Sequence, residues 1–236
     1  MPRKVAPRAM YARDEPAEGS RSHAMTVLLT ITAVMLLVAS PTQSANFVPG
    51  EVVVKFIPGS EAAMRVREVS QQTPIRLEAL EPVVEQLKAR TELPLVVTQL
   101  TSGDWVVLKI DVEPLSRGVA DRLRGYQNVA QAQVIGEERQ YIGYSAPKKI
   151  AVTFAPGTME ARTVSETLTD KGGSNFSNLV SRLQQRAASP LNAEVTEQEG
   201  LVLQVDLKSL TLTLQDRLHS LPFIESTQLN HVMTGF

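Results

Sequence analysis

The hydrophobic pattern of the chain changes period several times, and each change marks an element. Val52, Val54 and Phe56 alternate with other residues at period two, as in a half-buried strand, and Pro58-Gly59 stops the run. Ser60 is placed to cap a short helix over 61–68. A stripe of Leu77, Leu80, Val83, Val84 and Leu87 at three- and four-residue spacing predicts a second helix, starting or kinking near Pro82. Leu95 to Leu100 and Trp105 to Val112 read as two strands joined by the turn Thr101-Ser102-Gly103-Asp104. Pro114 then opens a helix with the stripe Leu115, Val119, Leu123, and Val129 to Ile135 is a further strand.

The order strand, helix, strand, strand, helix, strand is then written again. Lys149 to Ala155 is a strand followed by Pro156-Gly157, and Phe154 lies 98 residues after Phe56. Thr158 is a cap for a helix through Leu168, followed by a loop over 171–174. Phe176, Leu179, Val180 and Leu183 match Leu80, Val83, Val84 and Leu87 at an offset of 96. Leu201 to Leu207 matches the run ending at Val112, and Asp216-Arg217-Leu218 repeats Asp121-Arg122-Leu123, both at an offset of 95. Ile224 and Leu229 fall where Val129 and Val134 fall. The offsets slip only in loops, where length is cheap to change, so a duplicated unit is the reading. A unit of this size is a small domain, not a solenoid repeat.

The predicted fold is therefore α+β: two tandem ferredoxin-like βαββαβ domains, each an antiparallel four-stranded sheet with both helices on one face. The first covers 46–136, a linker covers 137–147, and the second covers 148–236. The other face of each sheet is left bare.

Ahead of these units, residues 26–40 form an uncharged apolar run, short for a membrane span but of signal-peptide length. Five basic residues precede it, with Asp14, Glu15 and Glu18 among them, and cleavage is expected after Ser44 or Ala45. Residues 1–45 are thus read as a signal peptide with a long n-region, with starts at Met10 or Met25 as alternatives; a buried core helix and an uncleaved anchor are the plainer ones. Export to a periplasmic or secreted location follows, with no stable membrane span after cleavage.

Composition narrows the chemistry. The 236 residues carry a net charge of −1, which gives no footprint for nucleic acid, and no cysteine, which excludes a thiol nucleophile and a disulfide scaffold. His23, His219 and His231 have no partner at metal-ligand spacing, and no Gly-x-Ser-x-Gly elbow occurs. No cofactor pattern is present, and no enzyme activity is expected. Asp111 and Asp206 recur in both copies and are read as strand-end caps in preference to an acid/base pair; Arg122 and Arg217 read as a solvated helix face.

The stretch Val48-Pro49-Gly50-Glu51-Val52-Val53-Val54-Lys55-Phe56, with Pro58-Gly59, resembles the opening of subtilisin-family propeptides and the related stand-alone protease inhibitors. The likeness covers nearly all of 48–135 and, more weakly, 148–231. The acidic-proline ending usual after the last strand is missing, and no protease domain follows the second copy. The resemblance implies a protein that inhibits a subtilisin-like serine protease or assists its folding. In that family the bare sheet face packs on the protease and the C-terminal tail lies in its cleft. The outward residues of the first copy include Val53, Ile57, Trp105 and Val107, and the tail carries Met233, Thr234, Gly235 and Phe236; these eight are the candidate partner-binding residues. The alternative is a periplasmic interaction or scaffold module of the same fold without a protease target.

Overall fold

Strand pairing, more than the elements themselves, decides the architecture. The computed structural model describes residues 47–136, 139–141, 144–169, 173–197 and 200–231; the expected signal peptide lies outside them. Among the described residues there are ten strands and six α-helices. In order they are β1 (Phe47–Phe56), α1 (Glu61–Ser70), α2 (Glu81–Thr91), β2 (Leu95–Thr101), β3 (Trp105–Ile110), α3 (Val112–Arg124), β4 (Val129–Ile135), β5 (Arg139–Tyr141), β6 (Tyr144–Ala146), β7 (Lys149–Phe154), α4 (Met159–Leu168), α5 (Gly173–Ala187), β8 (Leu191–Thr196), β9 (Gly200–Val205), α6 (Leu207–His219) and β10 (Ile224–His231).

Most boundaries follow local chemistry. The hydroxyl of Ser60 accepts from the Ala63 N–H and that of Thr158 from the Ala161 N–H, capping α1 and α4. A 3₁₀ turn over Leu77–Leu80 leads into α2, where Pro82 sits in the first turn and deprives the helix of no bond. Three expectations are corrected. The strands ending in Val112 and Leu207 stop at Ile110 and Val205, because Asp111 and Asp206 cap helices and the next apolar residue is already helical. The linker 137–147 contains a two-stranded hairpin, β5 paired with β6. The loop expected over 171–174 is shorter, since α5 begins at Gly173.

Two four-stranded antiparallel sheets result, with strand orders β10-β1-β3-β2 (sheet A) and β4-β7-β9-β8 (sheet B). The last strand of each sequence repeat lies in the other repeat's sheet. The registers match: Ala132 and Val134 lie opposite Val152 and Ile150, as Thr227 and Leu229 lie opposite Val54 and Val52. The preceding helices move with these strands, so that α6 packs on β1, β10 and α2, whereas α3 packs on β4, β7 and α5. Two bodies follow. Body A holds 47–110 with 207–231, and body B holds the continuous stretch 112–205. Body B is thus inserted into body A between β3 and α6. Asp111 and Asp206 are the two crossing points, and residues 46–236 remain one compact unit.

Repeat-related bonds hold each exchanged helix. In body A the Gly50 N–H donates to Thr211 Oγ1 at 2.7 Å. In body B the Lys148 N–H donates to Ser116 Oγ at 3.1 Å. Gly50 has φ +89°, and a Cβ there would stand 3.1 Å from Leu207 Cδ2, so the strand approaches α6 as only glycine allows. Arg217 donates to the Thr91 carbonyl and ties α6 to α2, so it is not the solvated side chain expected; Arg186 donates to the Arg122 carbonyl and ties α5 to α3. Inward residues of both bodies, among them Val52, Val54, Leu108, Leu214, Leu123, Ile150, Leu183 and Leu203, are fully or almost fully buried.

Two measurements test this topology. A specific protease site placed at the β5–β6 turn should give, after cutting, two fragments that co-migrate at the intact mass in size-exclusion chromatography until denaturant is added. Two separate small domains would refute the exchange. Replacing Thr211 by valine leaves the buried Gly50 N–H without its acceptor and should lower unfolding stability by about 1–3 kcal/mol in urea titration.

Candidate partner-binding face

The helices of body A cover one face of sheet A, and alternation along the strands directs the other residues outward. Cross-strand pairing sets these in rows. Gln228, Val53, Val107 and Gln99 form one row across β10, β1, β3 and β2. Ser226, Lys55, Trp105 and Thr101 form the next, and Glu51, Lys109 and Val96 a third. Val53, Trp105 and Val107 therefore lie together, as the alternation predicted. Ile57 extends the β1 side just past the strand end, where its N–H still donates to the Phe223 carbonyl at 3.0 Å, and it is 40 % exposed.

These residues are not equivalent surfaces. Val53 and Trp105 are half-buried. Val107 is only 4 % exposed, enclosed between its neighbours in the middle of the sheet, so it forms the floor of the face. Val96 on edge strand β2 is 37 % exposed beside Lys109 and adds an apolar position that the sequence reading missed. A Cβ on Gly103 would stand 3.6 Å from Trp105 Cδ1, which places the indole against the β2–β3 turn. Lys55 pairs with Glu225 at 2.9 Å. The Glu51 carboxylate accepts from Asn230 at 2.7 Å.

The corresponding face of sheet B is polar and internally bonded. Lys149 pairs with Glu194 at 3.7 Å, Gln131 donates to Gln133 at 2.9 Å, and Gln204 donates to the Pro147 carbonyl at 2.6 Å. Val202 is enclosed like Val107. The two open faces thus differ in chemistry although the layers beneath them match.

Met233, Thr234, Gly235 and Phe236 lie outside the described residues. The strand that leads to them is placed, however. β10 borders β1, and Phe47 pairs with His231. The chain therefore passes toward its last residues from sheet A, the sheet that carries Val53 and Trp105.

The two recurring aspartates have a structural use. Asp111 accepts from the Glu113 N–H, and Asp206 from those of Lys208 and Ser209. Each carboxylate caps a helix. Among the described residues no group of three or more His, Cys, Asp and Glu is arranged to hold a metal ion.

Comparison with family models, with curated proteins and with solved structures returns no match for this chain.

Near a crossing point the carboxyl of Glu113 titrates below its ordinary range. Glu113 in the first turn of α3 accepts from Lys148 at 2.9 Å and from Arg117 at 2.6 Å. The hydrogen bond and charge of Lys148, with Arg117 adding to them, hold its carboxyl below the usual glutamate range. A carboxylate with a depressed folded-state value stabilises the fold above its unfolded value, and that contribution is lost as pH falls through the folded one. Denaturant titrations should therefore show Glu113→Gln less stable than the parent near neutrality, with the difference closing at acid pH. A difference that is unchanged down to acid pH would contradict this assignment.

Proposed function

We propose that this chain is an exported, non-catalytic protein that binds a subtilisin-like serine protease, as inhibitor or folding chaperone, through the outward face of sheet A. Each body is read as a ferredoxin-like βαββαβ unit, with its fourth strand supplied across the repeat boundary. In this reading Val53, Ile57 and Trp105 touch the protease and Val107 supports them from below. The segment Met233-Thr234-Gly235-Phe236 extends into the active-site cleft and adds a strand there. Residues 1–45 act as the signal peptide. Among the described residues no helix is long and apolar enough to cross a membrane.

The observation that carries the proposal is that β10, the strand that leads to the tail, lies in the sheet that carries the apolar face. The apolar face belongs to the first repeat and the tail to the second, and in separately closed domains they would stand apart. Pairing of β10 with β1 brings the strand that precedes the tail into the sheet of the first repeat. The likeness of β1 to propeptide openings adds the target class, and among the described residues the outward face of sheet A carries Val53, Trp105 and Val96 where that of sheet B is the more polar.

Titrating the mature chain against a subtilisin-type protease tests the reading. Tight, slow-dissociating inhibition is expected. Trp105→Ala should weaken it about 30-fold or more, the scale of a truncated aromatic hot spot, and removal of residues 232–236 should abolish it with the fold retained. Rapid digestion without inhibition would refute the proposal and favour an interaction or scaffold module.

A further inference from the structure

We propose that Asp111 and Asp206 form a double hinge about which bodies A and B reorient. Each crossing is a single extended residue between a strand and a helix, with φ −76° and ψ 108° at Asp111 and φ −74° and ψ 91° at Asp206. Element-terminal residues of this kind are where hinge rotations are absorbed. Each aspartate is also held on both sides. The Asp111 N–H donates to the Pro94 carbonyl of body A at 2.8 Å, while its carboxylate caps α3 of body B. The Asp206 N–H donates to the Pro190 carbonyl of body B at 2.9 Å, while its carboxylate caps α6 of body A. Both ends of each hinge are therefore fixed to rigid elements, and motion is confined to the residue between them.

The directional side-chain bonds described above do not cross the boundary. The long-range side-chain bonds described above close within a body: Lys55–Glu225, Glu51–Asn230, Gly50–Thr211 and Arg217–Thr91 in body A, and Lys148–Glu113, Lys149–Glu194, Gln204–Pro147 and Arg186–Arg122 in body B. The helices pack mainly on elements of their own body, and the main approach across the boundary is β1 against β6. Buried apolar residues run on from one body to the other, so what the two bodies share is apolar, non-directional contact. Beside the Asp206 crossing a cleft of about 210 Å³ is lined by Pro49 and Leu207 of body A and by Ala146, Pro147, Asn192 and Gln204 of body B. Rotation about the two crossings widens or closes this cleft while each sheet moves as a unit. The outward faces of the two sheets thereby change their mutual angle.

The chain has no cysteine, so introduced pairs carry spin labels without background. Met64→Cys with Met159→Cys places labels on α1 of body A and α4 of body B; Met64→Cys with Leu212→Cys places both in body A. The three methionine and leucine side chains are 60 %, 65 % and 46 % exposed, so labelling leaves the cores untouched. Pulsed dipolar spectroscopy on the full chain should give a distance distribution across the boundary at least twice as wide as that within body A. Equal widths, with folding of both variants verified by circular dichroism, would overturn the hinge.

Discussion

The fold depends on what happens at one residue, used twice. Asp111 leaves β3 with its N–H bonded to the sheet behind it and its carboxylate bonded to the helix ahead. Asp206 does the same after β9. One residue spans roughly 3.5 Å, so no loop separates sheet from helix, and the helix starts where the strand stops. At both places the helix enters the other body and carries its following strand along. Body B is thereby a continuous segment with both ends clamped, and body A is closed by the first and last described strands, with Phe47 beside His231.

Such an exchange is tolerable because the two repeats offer one another the same surface. β4 and β10 meet their neighbours in the same register, and small or branched residues face inward at matching positions, Ala132 with Val134 and Thr227 with Leu229. The polar locks are interchangeable in kind: a hydroxyl on the exchanged helix, Ser116 or Thr211, accepts a backbone N–H from the segment that opens the receiving sheet. A sheet edge of this kind does not discriminate its own last strand from its neighbour's. The extra cost of closing a longer loop grows only with the logarithm of its length.

That equality explains which parts were legible beforehand. Stripes, alternation and caps are local, so Ser60, Thr158, the β2–β3 hairpin and the bounds of β4 could be read from residue spacing alone. The recurrence of the element order was legible too, through near-constant offsets. Pairing was not, because Val129 to Ile135 presents the same pattern to either sheet. Asp111 and Asp206 misled the strand ends: Val112 and Leu207 continue the period-two run and yet serve as buried first residues of helices. On the candidate face, alternation placed Val53, Trp105 and Val107 on one side, but it carries no measure of enclosure. Val107 is covered by its position in the middle of the sheet, and Val96 is exposed by its position at the edge, two facts that only strand order supplies.

The divergence of the two outward faces follows from the same topology. Core positions of both repeats meet similar partners, so both retain aliphatic residues. Outward positions are free of that constraint, and one face holds Val53 and Trp105 where the other holds Ala151 and Gly200. A ligand on sheet A would grip residues of the first and the last described strands at once. Binding to the folded form alone stabilises it in proportion to the logarithm of ligand concentration over Kd, and here that energy would act on β1 and β10 together. Body B, inserted between β3 and α6, would then have its two ends held by the body that the ligand stabilises. A single occupied face would in this way hold the two attachment points of body B without a contact on it.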